Sequence, residues 1–167
     1  MLTNDDPNLR LLSIANLVHD NPGDELERAL DAYTTMIMSD RDDARAHLAR
    51  GTARARKADH DCAIVDLTRV LELKECHVAY NNRGVCHYYR KRYDQAHSDI
   101  CACFVIEPRA AVACCNLGWV HEARGETRKA ISCYRTALAI DPSQQAARDN
   151  LKLLGATPNR QPDALWG

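Results

Sequence analysis

Aromatic side chains are scarce: the 167-residue chain has one phenylalanine, two tryptophans and six tyrosines, 5% in all. Its 46% hydrophobic content is carried mainly by Ala and Leu, which suits closely packed helices better than a sheet. Excess charge is missing as well. Twenty-two Lys and Arg stand against 23 Asp and Glu, so no long-range field draws the chain to nucleic acid or to a membrane, and neither is an expected partner. No apolar run approaches the ~20 residues that span a bilayer. The opening MLTNDDPNLR lacks the basic segment and apolar core of an export signal and the arginine-rich amphipathicity of a mitochondrial one. These absences predict a cytoplasmic chain. Cysteine, by contrast, is abundant at eight residues; without an export signal these read as reduced thiols serving as small core residues. The length suits one domain, or a short repeat array with its caps.

What the chain does have is a period. The run AVACCNLGWVHEARGETRKAISCYRTALAIDP, from Ala111 to Pro142, reads as two amphipathic helices split by a turn at Arg124, Gly125 and Glu126. With Ala111 as position 1, Leu117, Gly118, Ala130, Tyr134, Ala137 and Pro142 fall at positions 7, 8, 20, 24, 27 and 32. Upstream, Gly51, Gly84 and Gly118 are spaced 33 and 34 apart, while Ala29, Ala63, Ala96 and Ala130 are spaced 34, 33 and 34 apart. Two independent markers keep one register, and the single missing residue falls near Lys74 to Cys76, in an expected loop.

That pattern of small and large residues resembles the tetratricopeptide repeat. The resemblance implies an all-α, right-handed superhelical solenoid of about three and a half helix-turn-helix repeats. The expected domain is 1–154: a degenerate repeat over 10–43, repeats over 44–76, 77–110 and 111–144, and a capping helix over 143–154, followed by a flexible tail over 155–167. The degenerate repeat begins with a helix over Pro7 to His19 bearing Leu9, Leu12, Ile14, Leu17 and Val18, and its second helix opens at Asp24 as N-cap. Ser143 is the expected N-cap of the last helix, whose stripe is Ala147, Leu151 and Leu154 and whose stop is Gly155. Position 8 glycines permit close helix approach, position 20 alanines do the same from the other side, and large residues at positions 4 and 24 fill the space, each worth about 1.5–3 kcal/mol when buried.

Comparison among the repeats predicts one contact. Arg50 with Asp66, and Arg83 with Asp99, occupy positions 7 and 23; the fourth unit has Leu117 and Cys133 there. Both sites exchange charge for apolar character together, so they are expected to touch. If half exposed, each ion pair adds at most about 1 kcal/mol.

For function, the resemblance implies that the first helix of each repeat lines a concave face through positions 2, 5, 6, 9, 12 and 13. In this sequence the candidates are Arg45, Leu48, Thr52 and Arg56; Val78, Asn81, Asn82, Val85, Tyr88 and Tyr89; and Val112, Cys115, Asn116, Trp119 and Glu122. Amides at Asn82 and Asn116 suit a peptide backbone, and Tyr89 and Trp119 offer flat apolar contact. The expected role is an adaptor or chaperone-like subunit that binds an extended or helical segment of another protein. Self-assembly into a homo-oligomeric scaffold, with the tail around Leu165 and Trp166 docking in a neighbour, is the alternative. Co-chaperones of this family that hold a C-terminal carboxylate use Lys and Asn, then Asn, then Lys and Arg at set positions. Only Asn82 matches here, beside Leu48, Thr52, Val112 and Asn116, so that subfamily is not expected.

No nucleophile motif, phosphate loop or carboxylate pair is present, so no enzyme, cofactor or small-molecule substrate is expected. Cys101 and Cys103 with His97, or Cys114 and Cys115 with His121, suggest metal or redox chemistry, but none has CxxC spacing and only His97 and Cys101 share a helix face. Core filling is the expected role. His47, His87 and His121 recur at structural positions and are read as hydrogen-bonded core histidines. Arg54, Arg56 and Lys57, like Arg90, Lys91 and Arg92, read as solvated basic turns.

Overall fold

The structure, a computed structural model, describes residues 22–158. The expected helix over Pro7 to His19 and the tail residues Leu165 and Trp166 lie outside them. Eight helices run through the described residues: α1 Pro22–Ser39, α2 Ala44–Arg56, α3 His60–Leu73, α4 His77–Tyr89, α5 Tyr93–Ile106, α6 Ala111–Ala123, α7 Thr127–Ile140 and α8 Gln145–Leu153. Among the described residues none is long and apolar enough to cross a membrane. The chain divides at Lys74 into two compact units.

In the first unit, α2 pairs with α3 and α1 lies against α2. Helix α1 begins at Pro22, not at Asp24 as expected, because proline's fixed φ suits the first helical turn, where its missing N–H costs nothing. Asp43 caps α2 by accepting from the Arg45 and Ala46 amides at 2.9 and 3.1 Å, and Asp59 caps α3 through Cys62 N. Tyr33, Ala29 and Ala53 bury one small cluster, and Ala46, Ala63, Leu67 and Val70 are wholly inaccessible.

In the second unit, α4 pairs with α5 and α6 with α7; α5 packs on α6, α8 on α7, and α4 also touches α6. One core runs through it, from Ala96 and Ile100 through Leu117, Val120, Cys133 and Tyr134 to Ala147 and Leu151. The lost repeat residue falls where expected: Lys74 to Cys76 link α3 to α4, one fewer than the Glu107 to Ala110 link between α5 and α6. Ser143 does not cap α8. Gln144 holds that place, because Asp141 takes the Ser143 amide and hydroxyl on one carboxylate oxygen and the Gln144 side-chain amide on the other. The helix ends as expected on Gly155, whose φ of +65° lets Ala156 N donate back to Leu151 O at 2.8 Å. Thr157 O then accepts from Arg135 Nε.

The turn between paired helices needs a left-handed residue at position 15, and only the last hairpin supplies a glycine, Gly125 at φ +74°. The others place Ala58 at +61° and Lys91 at +59°. A side chain in that conformation costs about 1–2 kcal/mol. Lys91→Gly is therefore expected to stabilise the chain by about 1 kcal/mol, seen as a raised urea midpoint with unchanged m-value.

Candidate functional site

The first-helix glycines place the site. A Cβ on Gly51 meets Leu67 Cγ at 3.0 Å, on Gly84 Ile100 Cγ1 at 2.8 Å, and on Gly118 Tyr134 Cε1 at 2.3 Å. Each glycine thus faces the residue sixteen places on, at position 24 of its own hairpin. The position 20 alanines Ala63, Ala96 and Ala130 are fully buried.

The predicted ion pairs form, but in the interior. Arg50 donates Nε to Asp66 Oδ2 at 2.9 Å and Nη2 to Oδ1 at 2.7 Å; Arg83 engages Asp99 the same way at 2.8 and 2.7 Å. The Asp66 side chain is only 1% exposed, so the small energy of a half-exposed pair does not apply. Arg54, read as a solvated turn residue, instead reaches Asp66 Oδ2 at 2.8 Å. His47 Nδ1 lies 3.1 Å from the same carboxylate and its Nε2 lies 3.0 Å from Arg41 O. In the last hairpin Leu117 and Cys133 are both buried.

Of the first-unit candidates, Arg45 and Arg56 are exposed, Leu48 is half-buried, and Thr52 donates its hydroxyl to Leu48 O. A cleft of about 750 Å³ in that unit lies elsewhere, walled by Ile37, Met38, Ile64 and Val65 over Asp66, and none of the candidates lines it.

In the second unit α4 and α6 bring a group of candidates together. Tyr88 is its centre: its ring centroid is 5.5 Å from Tyr89 at 80°, 5.9 Å from Tyr93 at 55° and 6.4 Å from Trp119 at 36°. These are edge-on and tilted pairings, the arrangements that ring quadrupoles favour. Tyr89, Val78 and Val112 are 57%, 39% and 53% exposed, while Asn81, Asn82, Val85 and Trp119 are half-buried. Glu122, one turn past Trp119, accepts a hydrogen bond from the Tyr134 hydroxyl. Burial, then that bond and the Glu122 charge, push the Tyr134 phenol up; burial, Tyr93, Tyr89 and Glu122 push up Tyr88.

Two candidates are corrected. Cys115 and Asn116 are 3% and 6% exposed. Asn116 is drawn into the contact between α4 and α6, where its Nδ2 donates to Asn81 Oδ1 at 2.9 Å, and Asn81 Nδ2 donates on to Asn82 Oδ1 at 3.2 Å. Cys115 belongs to the core beside Cys114. Sequence reasoning missed Tyr93, which lies off the first helix, and the Glu122 to Tyr134 bond. A signal for the latter existed: the fourth repeat alone has both Tyr at position 24 and a carboxylate at position 12.

Core filling holds for five of the eight thiols; Cys62 is exposed and Cys76 and Cys101 are half-buried, which corrects the expectation for those three. Cys86, Cys103, Cys114, Cys115 and Cys133 are buried. Burial pushes the first four to about 11 and Cys133 to about 12, far from thiolate chemistry at neutral pH. Cys101 Sγ lies 3.7 Å from His97 Nδ1, and the His97 and His121 rings meet edge-on at 5.4 Å. Among the described residues no three His, Cys, Asp or Glu side chains converge as a metal site would require.

His121 is buried with Nδ1 2.6 Å from Glu126 Oε2, and His87 is buried with Nε2 3.8 Å from Asp99 Oδ2. Burial holds His87, His97 and His121 below the ordinary value of 6.5, against the opposing pull of Glu126 on His121. The folded chain therefore refuses protons that the unfolded chain accepts. Stability is expected to fall as pH drops below about 6.5 and to level off once the folded values are passed, a trend that melting curves from about pH 7 to about pH 5 read directly.

Tandem helical hairpins with glycine and alanine at the closest approach, and an outward first-helix face, define a helical-repeat protein. Residues 111–144 match the family model of the tetratricopeptide repeat. The chain is a tetratricopeptide-repeat protein, and the matching model is that of a repeat, not of a catalytic domain. It is 33% identical over 119 residues to heat shock protein STI1 of Saccharomyces cerevisiae, an alignment covering 68% of this chain and 20% of that protein. The chain thus spans about a fifth of the curated relative it matches. Among solved structures, MamA from Desulfovibrio magneticus RS-1 superposes with a TM-score of 0.73 at 20% identity, covering 92% of this chain and 86% of that one. The second repeat domain of human RPAP3, solved with the HSP70 peptide SGPTIEEVD, superposes with a TM-score of 0.63 at 18% identity, covering 68% and 96%. These likenesses carry the fold.

Proposed function

We propose that the chain is a protein-interaction module whose α4 and α6 face binds an extended or helical segment of a partner protein. The observation that carries this reading is the concentration of the chain's few aromatics there: Tyr88, Tyr89, Tyr93 and Trp119 lie within one set of ring contacts, and Val78 and Val112, at the first turns of α4 and α6, are exposed. Large amphipathic rings on a rigid helix face make anchors at low entropic cost. The test is capture from native lysate by wild type and by a Tyr89→Ala, Trp119→Ala double variant. A folded double variant that captures the same partners in equal amount overturns the assignment.

The acidic HSP70 peptide bound by the RPAP3 domain is not the expected ligand of this chain. Val112 stands where the co-chaperones carry lysine, and Asn116, buried against Asn81, stands where they carry arginine. Peptide SGPTIEEVD is expected to give no saturable signal in a fluorescence polarisation titration; saturable binding that lysine at the peptide's last aspartate abolishes would restore the clamp reading. Self-assembly is the second reading, favoured by exposed Leu153 on the last described helix. It predicts a size that grows with concentration and reverts when residues 156–167 are deleted.

A further inference from the structure

We infer that the α4 and α6 face selects a cationic side chain, lysine or arginine, in the partner segment; this deepens the interaction reading and rests on it. Ring faces carry negative charge density and draw cations, and tryptophan and tyrosine do so most strongly. Tyr88, Tyr89, Tyr93 and Trp119 gather such faces at centroid separations of 5.5 to 6.4 Å. The same unit already seats a cation on a tyrosine, with the Arg83 guanidinium carbon 5.8 Å from the Tyr80 ring centre.

Charge complementarity points the same way. Helix α6 contains no lysine or arginine, and its one acid is Glu122, one turn from Trp119 on the same face. Arg83, the one lysine or arginine of α4, is committed to Asp99. Arg124 and Lys129 are turned to Glu126. The Tyr134 hydroxyl fixes the Glu122 carboxylate from beneath, and a carboxylate has acceptor sites beyond the one that bond uses. Arg90, Lys91 and Arg92 lie exposed on the turn beyond Tyr89, where water and salt screen them. A partner's cation thus meets aromatic faces and one fixed carboxylate, while a partner's carboxylate meets Glu122 with no paired cation on α6.

A phage library of short random peptides, panned on the full chain, tests this. Selected peptides are expected to share lysine or arginine at one position, and replacing that residue by glutamine in the synthetic peptide should weaken binding about tenfold. Glu122→Gln keeps an acceptor for Tyr134 and should melt with wild type, yet lose most of the preference; Tyr89→Ala, at an exposed ring, should lose part of it. A shared apolar or acidic residue, or equal preference in Glu122→Gln, overturns the cation assignment and leaves the interaction reading standing. No selection by any form overturns both. Selection only by a dimeric fraction in size exclusion gives the face to a second copy, and overturns the partner assignment.

Discussion

Gly118→Ala is expected to cost about 3 kcal/mol or more and to disrupt the aromatic face with it. The added Cβ would stand 2.3 Å from Cε1, 2.6 Å from Cζ and 2.8 Å from Cδ1 of Tyr134. Those are atoms of a rigid ring, fully buried and tied through its hydroxyl to Glu122, so the ring has no rotamer to escape to. Relief requires moving α7 away from α6, which opens the core of the second unit. The helix-propensity gain of about 1 kcal/mol on replacing glycine offsets only part of this. The other two glycines set a graded control. At Gly84 the clash is 2.8 Å to Ile100 Cγ1 with backbone Ala96 O at 3.1 Å behind it, giving an intermediate loss. At Gly51 the nearest atoms are Leu67 Cγ at 3.0 Å and Asp66 Cβ at 3.1 Å, which have to give by only a few tenths of an ångström, so the loss is the smallest of the three. Chemical denaturation of the three single variants should rank them Gly118, Gly84, Gly51 in order of loss. Equal losses would mean that the residue at position 24 does not decide the effect.

The hairpins were legible in the sequence because their physics is local and repeated. Glycine at position 8 and alanine at position 20 mark where two backbones meet, and that need returns in every unit. Pair exchange at positions 7 and 23 revealed a contact between helices because both members changed together. Burial was harder to read. Position 6 puts Asn82 half in the open yet buries Asn116, because Asn116 has Asn81 of the preceding first helix to bond and the carboxamide moves inward to reach it. Arg54 shows the same limit: a basic run beside a turn reads as solvated, whereas a buried carboxylate twelve residues on draws one member in. Tyr93 entered the aromatic group because the tight left-handed turn at Lys91 folds the start of α5 back on Tyr88, a consequence of backbone geometry that the period does not encode.

Asp66→Asn is expected to destabilise the first unit by about 3–5 kcal/mol, the cost of removing one partner from a buried ion pair. Among the described residues Asp66 is the acid that Arg50, Arg54 and His47 share, at 2.7, 2.8 and 3.1 Å. An amide of the same shape keeps the packing but leaves two guanidinium groups without a counter-charge, and Arg50 is only 13% exposed. Arg54, at 26%, can turn outward and recover part of the loss. Asp99→Asn should cost less, because one arginine depends on Asp99 and His87 stands off at 3.8 Å, its proton affinity lowered by burial. The last hairpin, where Leu117 and Cys133 are both buried in one core, shows that the same places accept apolar residues. Arg83→Leu with Asp99→Cys should therefore regain most of what either change loses alone, since no charge is left unmatched. A double-mutant cycle by urea denaturation measures this. Additive losses would show that the arginine and the aspartate act separately, and that the pair holds the hairpin by packing, not by charge.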